Sequence, residues 1–196
     1  MSRFSAVIFD LDGTLADSQL DFSAMRRETS CPEDIGLLEF IDSLEDERRR
    51  AQAVDVVHRH EMAGARRATW MPGAQALCRR LAHSPLPVGI LTRNSRQAAE
   101  LTIRALDIPH DMLVAREDAP PKPDPAGLLA ILEAFGVAAQ DAVYVGDYRY
   151  DLEAAANAGM ASCLYDAGHG QAFRAQADIV VDHFDALAAL LFADGR

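Results

Sequence analysis

Cysteine, tryptophan and positive charge are all scarce in this chain. Three cysteines, Cys31, Cys78 and Cys163, form no CxxC pair and are odd in number. That argues against a disulfide framework and for buried or free thiols in a reducing compartment. The 19 Lys and Arg residues are outnumbered by 30 Asp and Glu, giving a formal charge of −11. A surface of that sign does not suit a nucleic-acid backbone or an anionic membrane, both of which need clustered cations. It does not exclude a small phosphorylated ligand, because a metal or a few local cations can reverse the field at one site. Long hydrophobic runs are also missing. The opening MSRFSAVIFD is too short an apolar run for a signal peptide, and nothing approaches the ~18 apolar residues of a membrane span. The expectation is a cytoplasmic protein, monomeric or a small homo-oligomer.

What is present is an ordinary globular composition, 49% hydrophobic and 25% charged, in 196 residues. That suits one domain, or one domain carrying a modest insert. Phe4 to Phe9 reads as a buried strand ending at the Asp12-Gly13 turn. From Asp17 to about Thr69 strand-like runs vanish and charges become dense. Apolar residues there recur at helical spacing (Ile35, Leu38, Ile41, Leu44, then Ala53, Val57 and His58), which predicts two or three helices, the second starting just after Pro32. Beyond Pro72-Gly73 the pattern alternates. Helices are predicted over 74–81, 95–106, 126–135, 151–158 and 186–192, with strands over 87–91, 112–115, 142–145, 162–164 and 179–181. This is the pattern of an α/β protein, a doubly wound parallel sheet with helices on both faces. Residues 1–16 and 70–196 would form this Rossmann-like core, with 17–69 a helical insert after the first strand.

Such sheets bind ligands at the carboxyl ends of their strands, and four polar clusters fall there. Asp10 and Asp12 end the first strand, and i,i+2 spacing lets both carboxylates face one site. Thr92-Arg93-Asn94-Ser95 ends the strand over 87–91 and precedes a helix, where a hydroxyl beside helix N-terminal amides suits an anion. Lys122 lies in the proline-stiffened run Pro120–Pro125. Asp147 and Asp151 follow the strand over 142–145 and share a face at i,i+4 spacing. Each cluster has a plainer reading: loop aspartates, helix capping by Asn94 or Ser95, a surface lysine, acids complementing a helix dipole. In combination, four carboxylates, one lysine, one hydroxyl and a helix terminus describe a metal-assisted phosphoryl-transfer site. Mg²⁺ is the hard cation such oxygens suit.

The segments FDLDGTLADS (9–18), LTRN (91–94), PKPDP (121–125) and GDYRYD (146–151) resemble the four motifs of the haloacid dehalogenase superfamily of hydrolases. The nearest resemblance is to its phosphatases with a helical cap after the first motif, the phosphoglycolate phosphatase-like group. The resemblance implies that Asp10 is the nucleophile, forming an aspartyl-phosphate, and that Asp12 is the general acid and base. It implies that Thr92, with Arg93 and Asn94, holds the phosphoryl oxygens and that Lys122 neutralises charge. Mg²⁺ would be bound by Asp10, the Asp12 backbone carbonyl and Asp147, while Asp151 would support the metal through water or Lys122. Relatives that cleave carbon–halogen bonds lack the second aspartate, so Asp12 points to phosphoester chemistry on a small phosphorylated metabolite. A phosphomutase, or a non-catalytic phosphate-binding protein on the same fold, are the alternatives.

The insert is shorter than the family's usual cap, which would leave the site more open. Its cationic clusters, Arg48–Arg50, His58-Arg59-His60 and Arg66-Arg67, are expected on solvated helix faces, paired at i,i+4. Asp17 and Ser18 are expected to open the first cap helix, and Trp70 to pack at the hinge. His83, His110, His169 and His183 carry no metal-ligand spacing and are expected at the surface or in packing roles.

Overall fold

A computed structural model describes residues 3–168 and 171–192. His169 and Gly170 therefore lie outside the described residues. Six parallel strands form one sheet in the order β5-β4-β1-β6-β7-β8. They are β1 (Ala6–Phe9), β4 (Val88–Leu91), β5 (Met112–Val114), β6 (Ala142–Gly146), β7 (Ala161–Tyr165) and β8 (Ile179–Val181). From β1 the chain steps outward to β4 and β5, then returns to β6 on the other side of β1. Phe9 consequently pairs with Ile90 on one side and Val145 on the other. The strand order reverses between β1 and β6, and a crevice at the carboxyl ends opens there.

Sequence alternation on β1 explains why both sheet faces are covered. Val7 and Phe9 join one hydrophobic cluster, built with Leu77, Leu81, Ile103, Phe184 and Leu187. Ala6 and Ile8 join another, with Leu128, Ile131, Tyr144 and Ala154. A period of two places successive side chains on opposite faces, and parallel strands buried on both sides are apolar throughout. The covering helices are α4 (Ala74–Leu81), α5 (Arg96–Leu106), α6 (Ala126–Phe135), α7 (Arg149–Ala158) and α8 (Phe184–Leu191). Helix α7 begins two residues before the sequence expectation and α8 two before, because Tyr148 and His183 sit in the extended cap positions.

Between β1 and α4 lies a short antiparallel ribbon, β2 (Ala16–Asp17) with β3 (Thr69–Trp70). Two-residue strands carry too little periodicity to be seen in the sequence. The ribbon brackets three helices, α1 (Phe22–Thr29), α2 (Leu37–Asp42) and α3 (Glu47–Arg67). These share a separate hydrophobic cluster of Met25, Cys31, Leu37, Ile41, Leu44, Ala53 and Val57. Pro32 does not open the second helix. It lies in the α1–α2 loop with Ile35, where Arg26 Nη1 donates to the Pro32 and Ile35 carbonyls at 2.5 and 2.8 Å. Asp17 and Ser18 do not open α1 either; Asp21 caps it, accepting from the Ala24 N–H at 2.8 Å.

Three residues of the cationic clusters bond outside α3 rather than at i,i+4. Arg59 and His60 on α3 both meet Glu28 on α1, at 3.0 and 2.9 Å, and Arg67 donates to the Gln19 carbonyl at 2.6 Å. Trp70 packs against the larger core cluster, as expected of it. Among the described residues no helix is long and apolar enough to cross a membrane.

Candidate active site

The four clusters converge on the crevice between β1 and β6. Asp10 follows β1 directly, its N–H held by the Val145 carbonyl at 2.8 Å. Lys122, brought in by the proline-rich loop before α6, is 5% exposed. Its ammonium has three protons and three acceptors: Asp10 Oδ1 at 2.7 Å, Asp151 Oδ1 at 2.6 Å and the Tyr144 hydroxyl at 3.0 Å. Tyr144 in turn donates to Asp151 Oδ1 at 3.0 Å, with the Leu91 carbonyl at 3.2 Å. The second Asp151 oxygen accepts the Tyr148 N–H at 3.0 Å, which fixes the start of α7. Both oxygens of Asp151 are therefore engaged, and of the two supports expected of this residue the one visible is its contact with Lys122.

Glycines permit these approaches. Gly13 has φ +85°, and a Cβ there would lie 2.6 Å from Asp147 Oδ2. At Gly146 a Cβ would lie 2.3 Å from the Cβ of Asp151. A side chain at either position would displace a carboxylate of the site. Thr14, fully buried, donates to Asp147 Oδ1 at 3.1 Å.

Carboxylate oxygens of Asp10, Asp147 and Asp151 all lie within 4.8 Å of one another. Burial raises the Asp10 carboxyl; Lys122 opposes that shift, while Asp151 and Asp147 add to it. Burial, with Asp151 beside it, likewise pushes Asp147 up to about 6. Lys122 responds the other way. Burial alone would lower its ammonium, but Asp10 and Asp151 outweigh burial and raise it. Three carboxylates, two buried and one half-buried, against one lysine leave an excess of negative charge, and hard oxygen donors in that number fit a divalent cation. The side chain of Asp12 stands outside this trio. Its Oδ1 accepts the Ser18 N–H at 3.0 Å, and burial raises its carboxyl against that bond.

Thr92 is buried at the end of β4, its Oγ1 accepting the Asn94 N–H at 3.1 Å. The α5 N-terminus differs from the sequence expectation. Ser95 occupies the cap position, yet its hydroxyl makes no capping bond. The Ser95 N–H instead goes to Glu61 Oε2 at 3.2 Å, and the Arg96 N–H to Glu117 Oε2 at 2.8 Å. Two carboxylates from elsewhere take these amides, as the positive end of a helix favours, so these N–H groups are not free for an external anion.

Asp10, Asp12, Thr92, Arg93, Asn94, Lys122, Asp147 and Asp151 all line one cavity of about 650 Å³, whose other wall comes from α1, α2 and α3. Arg93 crosses it, pairing with Glu39 on α2 while its guanidinium stands 5.0 Å from the Tyr150 ring centroid. None of the α3 clusters Arg48–Arg50, His58–His60 and Arg66–Arg67 borders the cavity. The hydrogen bonds and ion pair given by His83, His110 and His183 are local, to backbone or to Asp185. Sequence reasoning missed Tyr144, Thr14, Glu61 and Arg116. Tyr144 reads as one more large residue in an apolar strand; its hydroxyl gave no periodic signal.

Known proteins match this arrangement. A family model described as haloacid dehalogenase-like hydrolase matches residues 4–159. A phosphoglycolate phosphatase of Xanthomonas campestris is 30% identical over 207 residues, covering 90% of this chain and 91% of its own. A haloacid dehalogenase-like hydrolase domain-containing protein of Arabidopsis thaliana is 28% identical over 177 residues, covering 84% of this chain and 72% of its own. Among solved structures, a haloacid dehalogenase-like family hydrolase of Streptococcus pneumoniae superposes with a TM-score of 0.74 at 23% identity, covering 96% of this chain and 99% of that one. With its motifs gathered at the switch between β1 and β6 and its sequence matched over most of its length, the chain belongs to the haloacid dehalogenase-like hydrolases.

Proposed function

We propose that the protein is a Mg²⁺-dependent phosphatase of a small phosphorylated metabolite, phosphoglycolate-like or a sugar phosphate, working through an aspartyl-phosphate. The observation that carries this reading is the buried Asp10–Lys122–Asp151 chain beside Asp147, with a second acid, Asp12, at the same cavity. The phosphoglycolate phosphatases among its relatives support the substrate class. Residues 17–69 act as the cap and 1–16 with 70–196 as the catalytic core; the separate hydrophobic cluster of the insert supports that division. Three buried free thiols support a reducing, cytoplasmic setting.

A carboxylate of Asp10 attacks phosphorus in line, the bond to the leaving oxygen breaks, and Asp12 gives that oxygen its proton. Water then attacks the phosphorus of the aspartyl-phosphate. Asp12 takes its proton, and inorganic phosphate leaves as Asp10 is restored. Thr92 and Asn94 hold the phosphoryl oxygens, and Lys122, oriented by Asp151 and Tyr144, balances charge on Asp10. Asp10, Asp147 and the Asp12 carbonyl would hold Mg²⁺, with Asp151 acting through Lys122. When bound, the ion offsets the charge of the phosphoryl oxygens. Assay of the purified protein with Mg²⁺ against an aryl phosphate and a metabolite panel tests this. Released phosphate, lost in Asp10→Asn, is expected; no Mg²⁺-dependent turnover, or equal turnover by Asp10→Asn, would overturn it. An isomerised sugar phosphate without free phosphate would make the protein a mutase.

A further inference from the structure

The cavity has four cations in its wall: Lys122, Arg26, Arg93 and Arg149. Three of them leave no buried side-chain nitrogen without a partner among the described residues. Lys122 has all its protons on Asp10, Asp151 and Tyr144. Arg26 Nη1 is tied to the Pro32 and Ile35 carbonyls. Arg149 donates to the Tyr150 hydroxyl at 2.9 Å and lies 4.7 Å from that ring centroid. Arg93 is different. Its Nη2 meets Glu39 Oε1, while its Nε–H is buried with no hydrogen-bond partner among the described residues. Nε–H and the adjacent Nη2–H form one parallel edge of the guanidinium, the edge that grips a carboxylate or phosphate with two bonds. Glu39 thus fills half of a two-pronged anion site, and buried donors left unpaired are rare and costly.

We propose that the Nε/Nη2 edge of Arg93 binds a second anionic group, a carboxylate or phosphate, on the leaving group of the substrate. Glu39 holds that place until substrate enters. This rests on the phosphatase reading and names the determinant of its specificity. The Glu39 side chain is 41% exposed and pairs with Arg93 from a helix of the insert. An exposed partner of this kind contributes little and can turn into water at low cost. The Tyr150 ring beside the guanidinium holds it in place for the incoming anion. Arg93 directly follows Thr92, so their Cα atoms are about 3.8 Å apart. Both residues line the same cavity, so one small ligand can reach both. In this arrangement Arg93 reads the leaving group and not the transferred phosphoryl, a change from the role its motif implies.

Equilibrium binding with non-hydrolysable probes tests the proposal without requiring turnover. In Mg²⁺, 3-phosphonopropionate carries a carboxylate, propane-1,3-bisphosphonate a second phosphonate, and propylphosphonate neither. The wild-type protein is expected to bind at least one of the first two about tenfold or more tighter than propylphosphonate, as two charge-assisted bonds would give. Whichever of the two is preferred identifies the second anion. Glu39→Gln should widen that ratio, because the competing carboxylate is gone. Arg93→Gln should bring it close to one, and Arg93→Lys, which keeps charge but loses the fork, should fall between. A wild-type ratio near one, no binding of any probe, or a ratio that survives Arg93→Gln overturns the proposal. Should Arg93→Gln fail to fold, the wild-type ratio and its response to Glu39→Gln decide. Phosphate release from the metabolite panel with a wild-type ratio near one would leave the phosphatase reading standing and this one refuted.

Discussion

Glu61 and Arg116 form a two-pronged ion pair, Nη1 to Oε1 at 2.6 Å and Nη2 to Oε2 at 3.2 Å. Glu61 comes from α3 in the insert, Arg116 from the loop after β5. The carboxylate is 5% exposed and also receives the Ser95 N–H. One buried side chain thereby ties the insert to the N-terminus of α5, a turn beyond Thr92.

Removing one partner of this pair leaves the other buried and uncompensated. Arg116→Met is expected to destabilise the fold by about 2–3 kcal/mol, below the full cost of a broken buried pair because Arg116 is partly exposed. Glu61→Ala should cost a similar amount. Urea unfolding of both variants and of the double variant checks this, and the double variant should be less destabilised than the two losses added together.

Tyr144→Phe keeps the packing of β6 and removes one hydroxyl. That hydroxyl accepts from Lys122 and donates to Asp151, so its loss should cost about 1–2 kcal/mol of stability. With Lys122 less well aimed at Asp10, turnover should fall about tenfold, chiefly in kcat. Steady-state kinetics against a generic aryl phosphate reads this directly, and unchanged kcat would remove Tyr144 from the orientation of Lys122.

Gly13→Ala adds a methyl group 2.6 Å from Asp147 Oδ2 at a backbone angle alanine resists. Asp147 must shift from its present position. The Mg²⁺ concentration giving half-maximal activity should rise about tenfold or more, as when a ligand's support is lost.

Added Mg²⁺ should also stabilise the fold, since the Asp10, Asp147 and Asp151 carboxylates carry an uncompensated charge. At a hundredfold excess over its dissociation constant the gain is about 2.7 kcal/mol. A thermal melt with and without chelator should show it, and Asp147→Asn should abolish most of the shift.

Burial pushes the thiols of Cys78 and Cys163 up to about 12. Both should resist alkylation at pH 8 in the native protein and react at once in denaturant. The same shift has a sign for stability. Below about pH 7.5 both states keep these protons and there is almost no slope. Above it the unfolded chain releases them and the fold does not, so stability falls as pH rises. Titrated unfolding from pH 8 to 10 checks the direction.

The convergence of these residues was legible because most of their motifs sit at strand ends, where short range suffices to place them. Asp10, Thr92 and Asp147 each follow an apolar run, and a parallel sheet brings such ends together; Lys122 was marked instead by its proline-rich loop. Glu61 was hidden for the opposite reason. Its one signal is position: Ala53, Val57, Glu61 and Ala65 step along α3 at i,i+4, all buried, so a carboxylate stands where the helical period calls for an apolar residue. Its partner Arg116 lies 55 residues away, and no local rule connects them. Proline misled at Pro32, where it marks a loop anchored by Arg26 and not a helix start. The α5 terminus misled because its amides were judged from their neighbours, while Glu61 and Glu117 reach them from elsewhere.

The β2–β3 ribbon joins Ala16 to Trp70 and Asp17 to Thr69, so the chain departs from the sheet and re-enters it at one point. Whatever lies between those strands is a closed excursion. Doubling its length would add only about 0.6 kcal/mol of closure entropy. Evolution can lengthen, shorten or replace the excursion while the register of β1, and with it the position of Asp10, stays fixed. The contents of that one bracket can be exchanged with Asp10 left untouched.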